Sequence, residues 1–155
     1  MTFAFSNGET IAAIATAVAI GQGGIAIIRI SGPLSQEIAN EIVRTPGKQI
    51  LESHKVLYGH VMNEQGTERI DEVLTIFMKG PKSFTGEDLV EIHCHGGVLV
   101  VEQVLERILK SSKVRRALPG EFSQRAVLNN RISLTQAEAI SDLIASRSRK
   151  AAQIA

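Results

Sequence analysis

Residues 89–110 read LVEIHCHGGVLVVEQVLERILK and join a strand pattern directly to a helix pattern. Apolar and polar side chains alternate along Leu89–Cys94, which predicts a strand with one buried face. Gly96-Gly97 then leads into Val98–Lys110, where apolar residues recur at helical spacing and predict an amphipathic helix. The apolar side of that helix consists of Leu99, Val101, Leu105, Ile108 and Leu109.

The same two patterns recur in the rest of the chain. Short β-branched, apolar runs predict buried strands at Thr10–Ala15 and Ile25–Ser31. Two more strands are predicted at Val56–Met62 and Ile70–Met78, and a final short one at Val114–Leu118, before Pro119-Gly120. Leu34–Val43 has the apolar spacing of a helix, and a polar turn at residues 63–66 predicts a hairpin. The order strand, helix, strand therefore occurs twice, with antiparallel strands inserted between, and this predicts the α+β class.

The C-terminal stretch has a helical pattern instead. Glu121–Asn129 is expected to be a helix that ends in a left-handed turn at Asn129-Asn130. Ser133 and Gln136 have capping-box spacing, so a second helix should begin there. Its apolar stripe, which needs a packing partner, consists of Leu134, Ala137, Ile140, Leu143 and Ile144. We expect that helix either to dock on the domain or to belong to a longer protein.

Composition excludes several classes of protein. The 155 residues include 17 Lys and Arg against 16 Asp and Glu, a balance that argues against a dedicated electrostatic binder of nucleic acid. Aromatic residues are only 4%, too few for a stacking platform, and the single cysteine excludes an intramolecular disulfide. The uncharged stretch 10–28 is broken by glycines and lacks a positive leader, so we predict a cytoplasmic protein without a signal peptide.

Neither glycine-rich stretch has the context of a nucleotide-binding motif. Gly21-Gln22-Gly23-Gly24 is followed by strand sequence, whereas a dinucleotide fingerprint requires a helix at that point. The only Gly-Lys pair, Gly47-Lys48, is followed by Gln49 and not by Ser or Thr. We therefore expect no nucleoside triphosphatase activity from this chain alone.

Two strands carry charged residues that need an explanation. Arg29 lies between Ile28 and Ile30, so it must either meet a carboxylate or ligand, or lie at a sheet edge where its head reaches solvent. The period of two places Glu91, His93 and His95 on one face, which would suit a zinc-dependent hydrolase. Three ligands from one short strand lie along a line, however. We therefore favour Glu91 as a ligand acceptor or as the partner of Arg29.

Four motifs in order resemble one family over nearly the whole chain. They are Arg29-Ile30-Ser31-Gly32, Ser83-Phe84-Thr85-Gly86-Glu87-Asp88 running into His95-Gly96-Gly97, Pro119-Gly120-Glu121-Phe122-Ser123, and Leu134-Thr135-Gln136-Ala137-Glu138-Ala139. Together they resemble the N-terminal part of the MnmE (TrmE) family of tRNA-modifying GTPases.

That resemblance implies a fold and a function. Residues 1–118 would form a domain similar to folate-binding aminomethyltransferases, with two βαβ-type halves, which homodimerises and binds 5-formyl-tetrahydrofolate. Residues 119–155 would begin a helical domain, with the GTPase domain and the C-terminal part absent. The complete protein would use GTP, Mg²⁺ and K⁺ and act with the flavoprotein MnmG. The two proteins would modify the wobble uridine of tRNA with a folate one-carbon unit.

The family's folate contacts carry over onto Arg29, Glu91 and Arg131, the last of which is commonly Lys in the family. A pterin presents an amino group beside a ring N–H, and one carboxylate can accept both. The loop at residues 17–22 departs from the family's pattern, because its prolines and arginine are missing and two residues are added. A stand-alone folate-dependent one-carbon transferase is the alternative, although no catalytic acid or base stands out beyond Glu91.

Overall fold

A mixed sheet forms the centre of the computed structural model, which describes residues 8–16 and 24–140. Its strands are β1 (Thr10–Ile14), β2 (Ala26–Ser31), β3 (Val43–Arg44), β4 (Val56–Met62), β5 (Arg69–Met78), β6 (Leu89–Cys94) and β7 (Val114–Arg116). The helices are α1 (Ser35–Ile42), α2 (Gly97–Leu109) and α3 (Glu121–Leu128), and residues 134–140 are helical as well.

The order of the strands across the sheet is β3-β4-β5-β6-β2-β1-β7. Neighbouring strands are antiparallel except β1 and β7, which are parallel. The units β2-α1-β3 and β6-α2-β7 each join two strands of the same direction through a helix. The predicted α+β class, with strand–helix–strand order occurring twice, is therefore confirmed. The aminomethyltransferase-like fold and the domain boundary after residue 118 stay predictions.

Strand β3 was missed, and the first helix ends one residue earlier than predicted. Val43 has extended backbone angles (φ −102°, ψ 123°) and pairs with Val61 of β4. A strand of two residues is too short to show an alternating pattern, so only the pairing with β4 reveals it.

The hydrophobic core lies between one face of the sheet and helices α1 and α2. Ile28 and Ile30 of β2 face this side, and they pair directly with Ile92 and Val90 of β6. The buried face of α2 consists of Val101, Val104, Leu105 and Ile108.

The prediction that Leu99 belongs to that buried face was wrong, since it is 80% exposed. Two residues correspond to about 200° of helix rotation, so Leu99 lies nearly opposite Val101.

Local signals for turns and caps agree with the structure. The side chain of Asn63 accepts the backbone N–H groups of Thr67 and Glu68, and Gly66 has φ 70° in the predicted hairpin turn. Asn130, with φ 58°, takes the left-handed conformation after α3.

The capping box before the next helix is also complete. The Ser133 hydroxyl accepts the Gln136 N–H at 3.1 Å, and the Gln136 side chain accepts the Ser133 N–H at 2.8 Å. Leu134 is 64% exposed, whereas Leu143 and Ile144 of the predicted stripe lie outside the described residues. Within the described ranges, no helix has the length and apolar content needed to cross a membrane.

The residues that the structure describes cover the opposite face of the sheet only in part. Loop 79–88 and α3 lie over one corner, near Ser31 of β2. We call the rest of this side the open face; its side chains include Val56, Tyr58, Leu74, Ile76, Ile27, Arg29, Glu91 and His93. Tyr58 is 44% exposed and Val56 is 56% exposed. The candidate site lies on this face.

Candidate ligand-binding site

Arg29 and Glu91 form an ion pair on the open face, next to the corner that loop 79–88 and α3 cover. The two residues are directly opposite each other in the register of β2 and β6, and Arg29 Nε and Nη2 donate to Glu91 Oε2 at 3.2 and 3.1 Å. Their side chains are 24% and 18% exposed. Strand β2 lies between β6 and β1, so the interpretation of Arg29 as an edge residue was wrong. Its partner is the carboxylate that the sequence suggested.

Two phenylalanine rings flank the Arg29 guanidinium. Its carbon lies 5.0 Å from the centre of the Phe84 ring and 5.9 Å from the centre of the Phe122 ring. Phe84 comes from loop 79–88 and Phe122 from α3, so elements distant in sequence meet over one cation. Both distances are within the range of cation–π attraction. We did not predict either ring as a site residue, although both lie in the family motifs.

His93 is the second side chain in contact with the Glu91 carboxylate. The His93 Nε2 atom lies 3.2 Å from Glu91 Oε1, while Oε2 accepts from Arg29. Each carboxylate oxygen has two lone pairs, so the two Arg29 bonds occupy Oε2, whereas Oε1 can accept a further hydrogen bond beside His93. A carboxylate held in this way at the open face, with two aromatic rings beside its arginine partner, can accept an N–H group from a heterocycle through Oε1.

His95 does not join this group, contrary to the predicted alternation. Strand β6 ends at Cys94, after which the His95 N–H donates to Asp71 Oδ2 at 2.8 Å and its ring Nδ1 lies 3.1 Å from the Glu72 carbonyl oxygen. Among residues 8–16 and 24–140, no three His, Cys, Asp or Glu side chains are grouped as metal ligands would be. The geometry therefore gives no support to the zinc hydrolase alternative.

Arg131 is linked to the site through loop 79–88. Its Nε atom donates to the Ser83 carbonyl oxygen at 2.8 Å, and Ser83 precedes Phe84 in the chain. The Asn129 side chain donates to the Thr85 carbonyl oxygen at 2.8 Å. Of the three residues that the family resemblance assigned to folate, the structure brings Arg29 and Glu91 into direct contact. It connects Arg131 to them by way of the loop.

Arg125 anchors the same loop from inside the protein. This α3 residue is completely buried, and its Nη1 atom donates to Glu87 Oε1 at 2.8 Å and to the Glu9 carbonyl oxygen at 2.9 Å. Glu87 Oε1 also accepts the Ser31 hydroxyl at 2.8 Å. Sequence reasoning missed this cluster. Arg125 and Glu87 both lie in the resembling stretches, but nothing in their spacing shows that they meet.

A second buried carboxylate, Glu121, lies beside Arg125 and holds the start of α3. Its side chain is 2% exposed, and it accepts two hydrogen bonds from Arg115 and one from the Leu118 N–H. Burial by itself would raise the pKa of Glu121. This effect of burial is outweighed by the hydrogen bonds from Arg115 and the Leu118 N–H and by the charges of Arg115 and Arg125. The pKa of Glu121 therefore lies below its usual value of 4.5.

This lowered pKa predicts a contribution to acid sensitivity. Because the folded pKa lies below the unfolded one, the stabilisation from Glu121 is complete above about pH 5 and is lost as the pH falls through the folded pKa. Urea unfolding of the wild type and Glu121→Gln between about pH 6 and pH 3 should show a flatter dependence for the variant. The exposed Glu138→Gln variant is the control and should keep the wild-type slope. Equal slopes for all three proteins would contradict the assignment.

Cys94 lies on the core side of β6 and is buried, as predicted. Burial, and to a lesser extent the charge of Asp71, raises the pKa of its thiol to about 12. The thiolate is the reactive form, so native protein at about pH 8 should react with an aromatic disulfide reagent on the order of a thousandfold more slowly than denatured protein. Stopped-flow absorbance measures both rates. Comparable rates would show that the thiol is accessible and ionised in the native state.

The altered loop at residues 17–22 lies outside the described residues. Its predicted effect on the site therefore stays a prediction.

Comparison with known proteins agrees with the motifs. A family model described as "GTP-binding protein TrmE N-terminus" matches residues 10–131. The tRNA modification GTPase MnmE of Prochlorococcus marinus (strain MIT 9303) is 64% identical over 155 residues, which are 100% of this chain and 33% of that protein. The tRNA modification GTPase MnmE of Synechococcus sp. (strain CC9902) is 64% identical over 147 residues, 95% of this chain and 33% of that protein. The chain spans about a third of the length of these curated relatives.

Proposed function

The chain belongs to the family of TrmE N-terminal domains, and from this premise we propose that it is the folate-binding and dimerisation module of a tRNA-modification GTPase. The observation that carries the folate proposal is the Glu91 carboxylate, held at the open face by Arg29, whose guanidinium carbon lies 5.0 Å from the centre of the Phe84 ring. The ligand is 5-formyl-tetrahydrofolate or a related tetrahydrofolate.

The residues present fit such a ligand. A pterin carries an amino group beside a ring N–H; Glu91 Oε1 has a lone pair to accept from one, and Oε2 would accept from the other in place of one Arg29 N–H. The Phe84 and Phe122 rings offer flat apolar surface to the heterocycle, and Arg131 carries positive charge toward an anionic glutamate tail. Folate supplies a one-carbon unit when bound. Glu91 orients the pterin, and the rings exclude water from it.

Calorimetric titration with 5-formyl-tetrahydrofolate tests this proposal. We expect saturable binding by the wild-type chain, and we expect no binding of p-aminobenzoyl-glutamate, which lacks the pterin and so has nothing for Glu91 to bind. Absence of heat and of any change in melting temperature with excess folate would overturn the proposal. Equal binding of both compounds would show that the pterin is not what Glu91 recognises.

We propose further that the open face is the dimer interface. Its exposed apolar side chains, including Tyr58 and Val56, would be removed from water by a second copy. Light scattering at micromolar concentration should give twice the mass of one chain. Leu74→Lys places a charge on this face and should yield monomers. Leu99→Lys, on an exposed part of α2, should leave the dimer intact. A monomeric wild type would contradict this proposal.

The remaining functions concern the complete protein. The relatives are named tRNA modification GTPases, so we propose that this chain acts within a cytoplasmic protein that uses GTP, Mg²⁺ and K⁺. With the flavoprotein MnmG, that protein would modify the wobble uridine of tRNA. A hybrid in which this chain replaces the matching third of a relative should restore the modified nucleoside in tRNA of a strain lacking that relative. Mass spectrometry of digested tRNA provides the measurement. A hybrid that is expressed and binds GTP but leaves the uridine unmodified would contradict the proposal.

A further inference from the structure

The helix side of the sheet contains a cleft of about 480 Å³ that the candidate folate site does not use. Its walls are the end of α1 with β3, loop 45–51, the turn after β4, and Arg107 of α2. Leu57 and Thr75, which are paired across β4 and β5, also line it. Thr75 alternates with Ile76, which pairs with Glu91 on the open face. The cleft and the Arg29–Glu91 pair therefore lie on opposite faces of the sheet, so a single folate does not reach both.

Positive charge predominates around this cleft. Its cations are Arg44, Lys48 and Arg107, and its carboxylates are Glu41 and Glu64. Glu64 forms an ion pair with Lys110, which compensates its charge. The remaining balance is three cations against Glu41, an excess of two positive charges.

Both arginines are partly anchored and keep donors to spare. Arg44 Nη2 donates to the Gly66 carbonyl oxygen at 2.9 Å, and Arg107 Nε donates to the Met62 carbonyl oxygen at 3.0 Å. A guanidinium has five N–H groups, so each arginine retains further donors while its position is held. Arginines with anchored positions and unused donors are suited to binding an anion.

Thr75 supplies an independent observation. It is 2% exposed, and its hydroxyl has no hydrogen-bond partner within the part of the chain that the structure describes. Buried hydroxyl groups without partners are rare in proteins, because the lost contact with water is not replaced. A hydroxyl in the wall of a cationic cleft can donate to an anionic oxygen that enters the cleft.

We propose that this cleft binds a small organic phosphate. A phosphate monoester carries close to two negative charges at neutral pH, which matches the excess of two positive charges, whereas a monocarboxylate carries one. The volume is in the range of small-molecule sites. Val43, Leu51, Leu57 and Met62 provide apolar wall for the organic part of the molecule.

Titration of the ¹⁵N-labelled chain with ribose 5-phosphate, followed by NMR, tests this site. We expect saturating shifts of amide signals from residues 44–50, 63–66 and 75, weaker shifts with inorganic phosphate, and none with ribose. Shifts of the same size with inorganic phosphate would show that only a free anion binds, without an organic body. Shifts confined to other parts of the chain, or equal shifts with ribose, would overturn the proposal.

Two variants separate binding from folding. Thr75→Val removes the unpaired hydroxyl at constant shape, so it should raise the melting temperature and weaken binding of ribose 5-phosphate at least about fivefold. Lys48→Gln removes one exposed cation and should weaken binding by a similar factor with no change in melting temperature. Lys113→Gln, at an exposed position away from the cleft, is the matched control and should bind as wild type. Unchanged affinity in both cleft variants would rule out this site, whatever the outcome of the folate titration.

Discussion

Replacing Arg125 with methionine should lower the free energy of unfolding by about 3–5 kcal/mol, the largest effect we expect from a single change in this chain. The methionine fills much of the volume but leaves Glu87 without its cation. The Glu87 side chain is only 14% exposed, so the uncompensated charge has little access to water. Glu121 is less affected, because Arg115 and the Leu118 N–H still bind it.

Urea unfolding and thermal melting measure this effect. For a chain of this size, each kcal/mol corresponds to roughly 2–4 °C in melting temperature, so a fall on the order of 10 °C is expected. Arg116→Met, at an exposed residue of β7, is the matched control and should change stability by less than about 0.5 kcal/mol. Adding Glu87→Gln to Arg125→Met should recover part of the loss, because it removes the stranded charge. A loss below about 1 kcal/mol for Arg125→Met would mean that the cluster contributes little.

Glu91→Gln should weaken binding of 5-formyl-tetrahydrofolate at least about tenfold, which corresponds to about 1.4 kcal/mol. The amide keeps the shape of the carboxylate, but its nitrogen would face a pterin N–H donor. Hydrogen bonds to a charged acceptor contribute roughly 1.5–3 kcal/mol each, so losing one of the two bonds accounts for the expected change. Glu91→Ala should weaken binding equally or more.

Measurement of folate affinity and melting temperature on the same Glu91→Gln sample distinguishes a ligand contact from a structural ion pair. Arg29 is 24% exposed and is flanked by Phe84 and Phe122, so it keeps favourable surroundings when Glu91 is neutral. The fold should therefore survive. Glu72→Gln, an exposed carboxylate of β5 on the same side of the sheet, is the control and should bind folate as wild type. Unchanged affinity with a large fall in melting temperature would show that Glu91 serves the fold and not a ligand.

Some of the site could be predicted because isolated charges in apolar strands are informative by themselves. Arg29 lies between two isoleucines that face the core, so its own side chain had to lie on the other face and find a partner. Glu91 alternates with Val90 and Ile92 and lies on the same kind of face. The sequence could not show that the two strands are neighbours, because the register of residues 62 positions apart depends on the whole sheet.

The sequence by itself determined the local structure of this protein. Alternation in Leu89–Cys94, the helical spacing of α1 and α2, the hairpin turn at residues 63–66 and the capping box at Ser133 all depend on neighbours within a few residues. Each agrees with the structure, except that Leu99 lies outside the buried face of α2 and that α1 ends one residue early.

Tertiary structure decided which distant residues meet, because those contacts result from packing and carry no signature in spacing. Only the folded chain shows that Phe84 and Phe122 flank Arg29 and that Arg125 is buried against Glu87. It alone places Arg131 on the loop beside the site. It also leaves the Thr75 hydroxyl unpaired in a cationic cleft, since a strand pattern records which face a side chain occupies but not what lies above it.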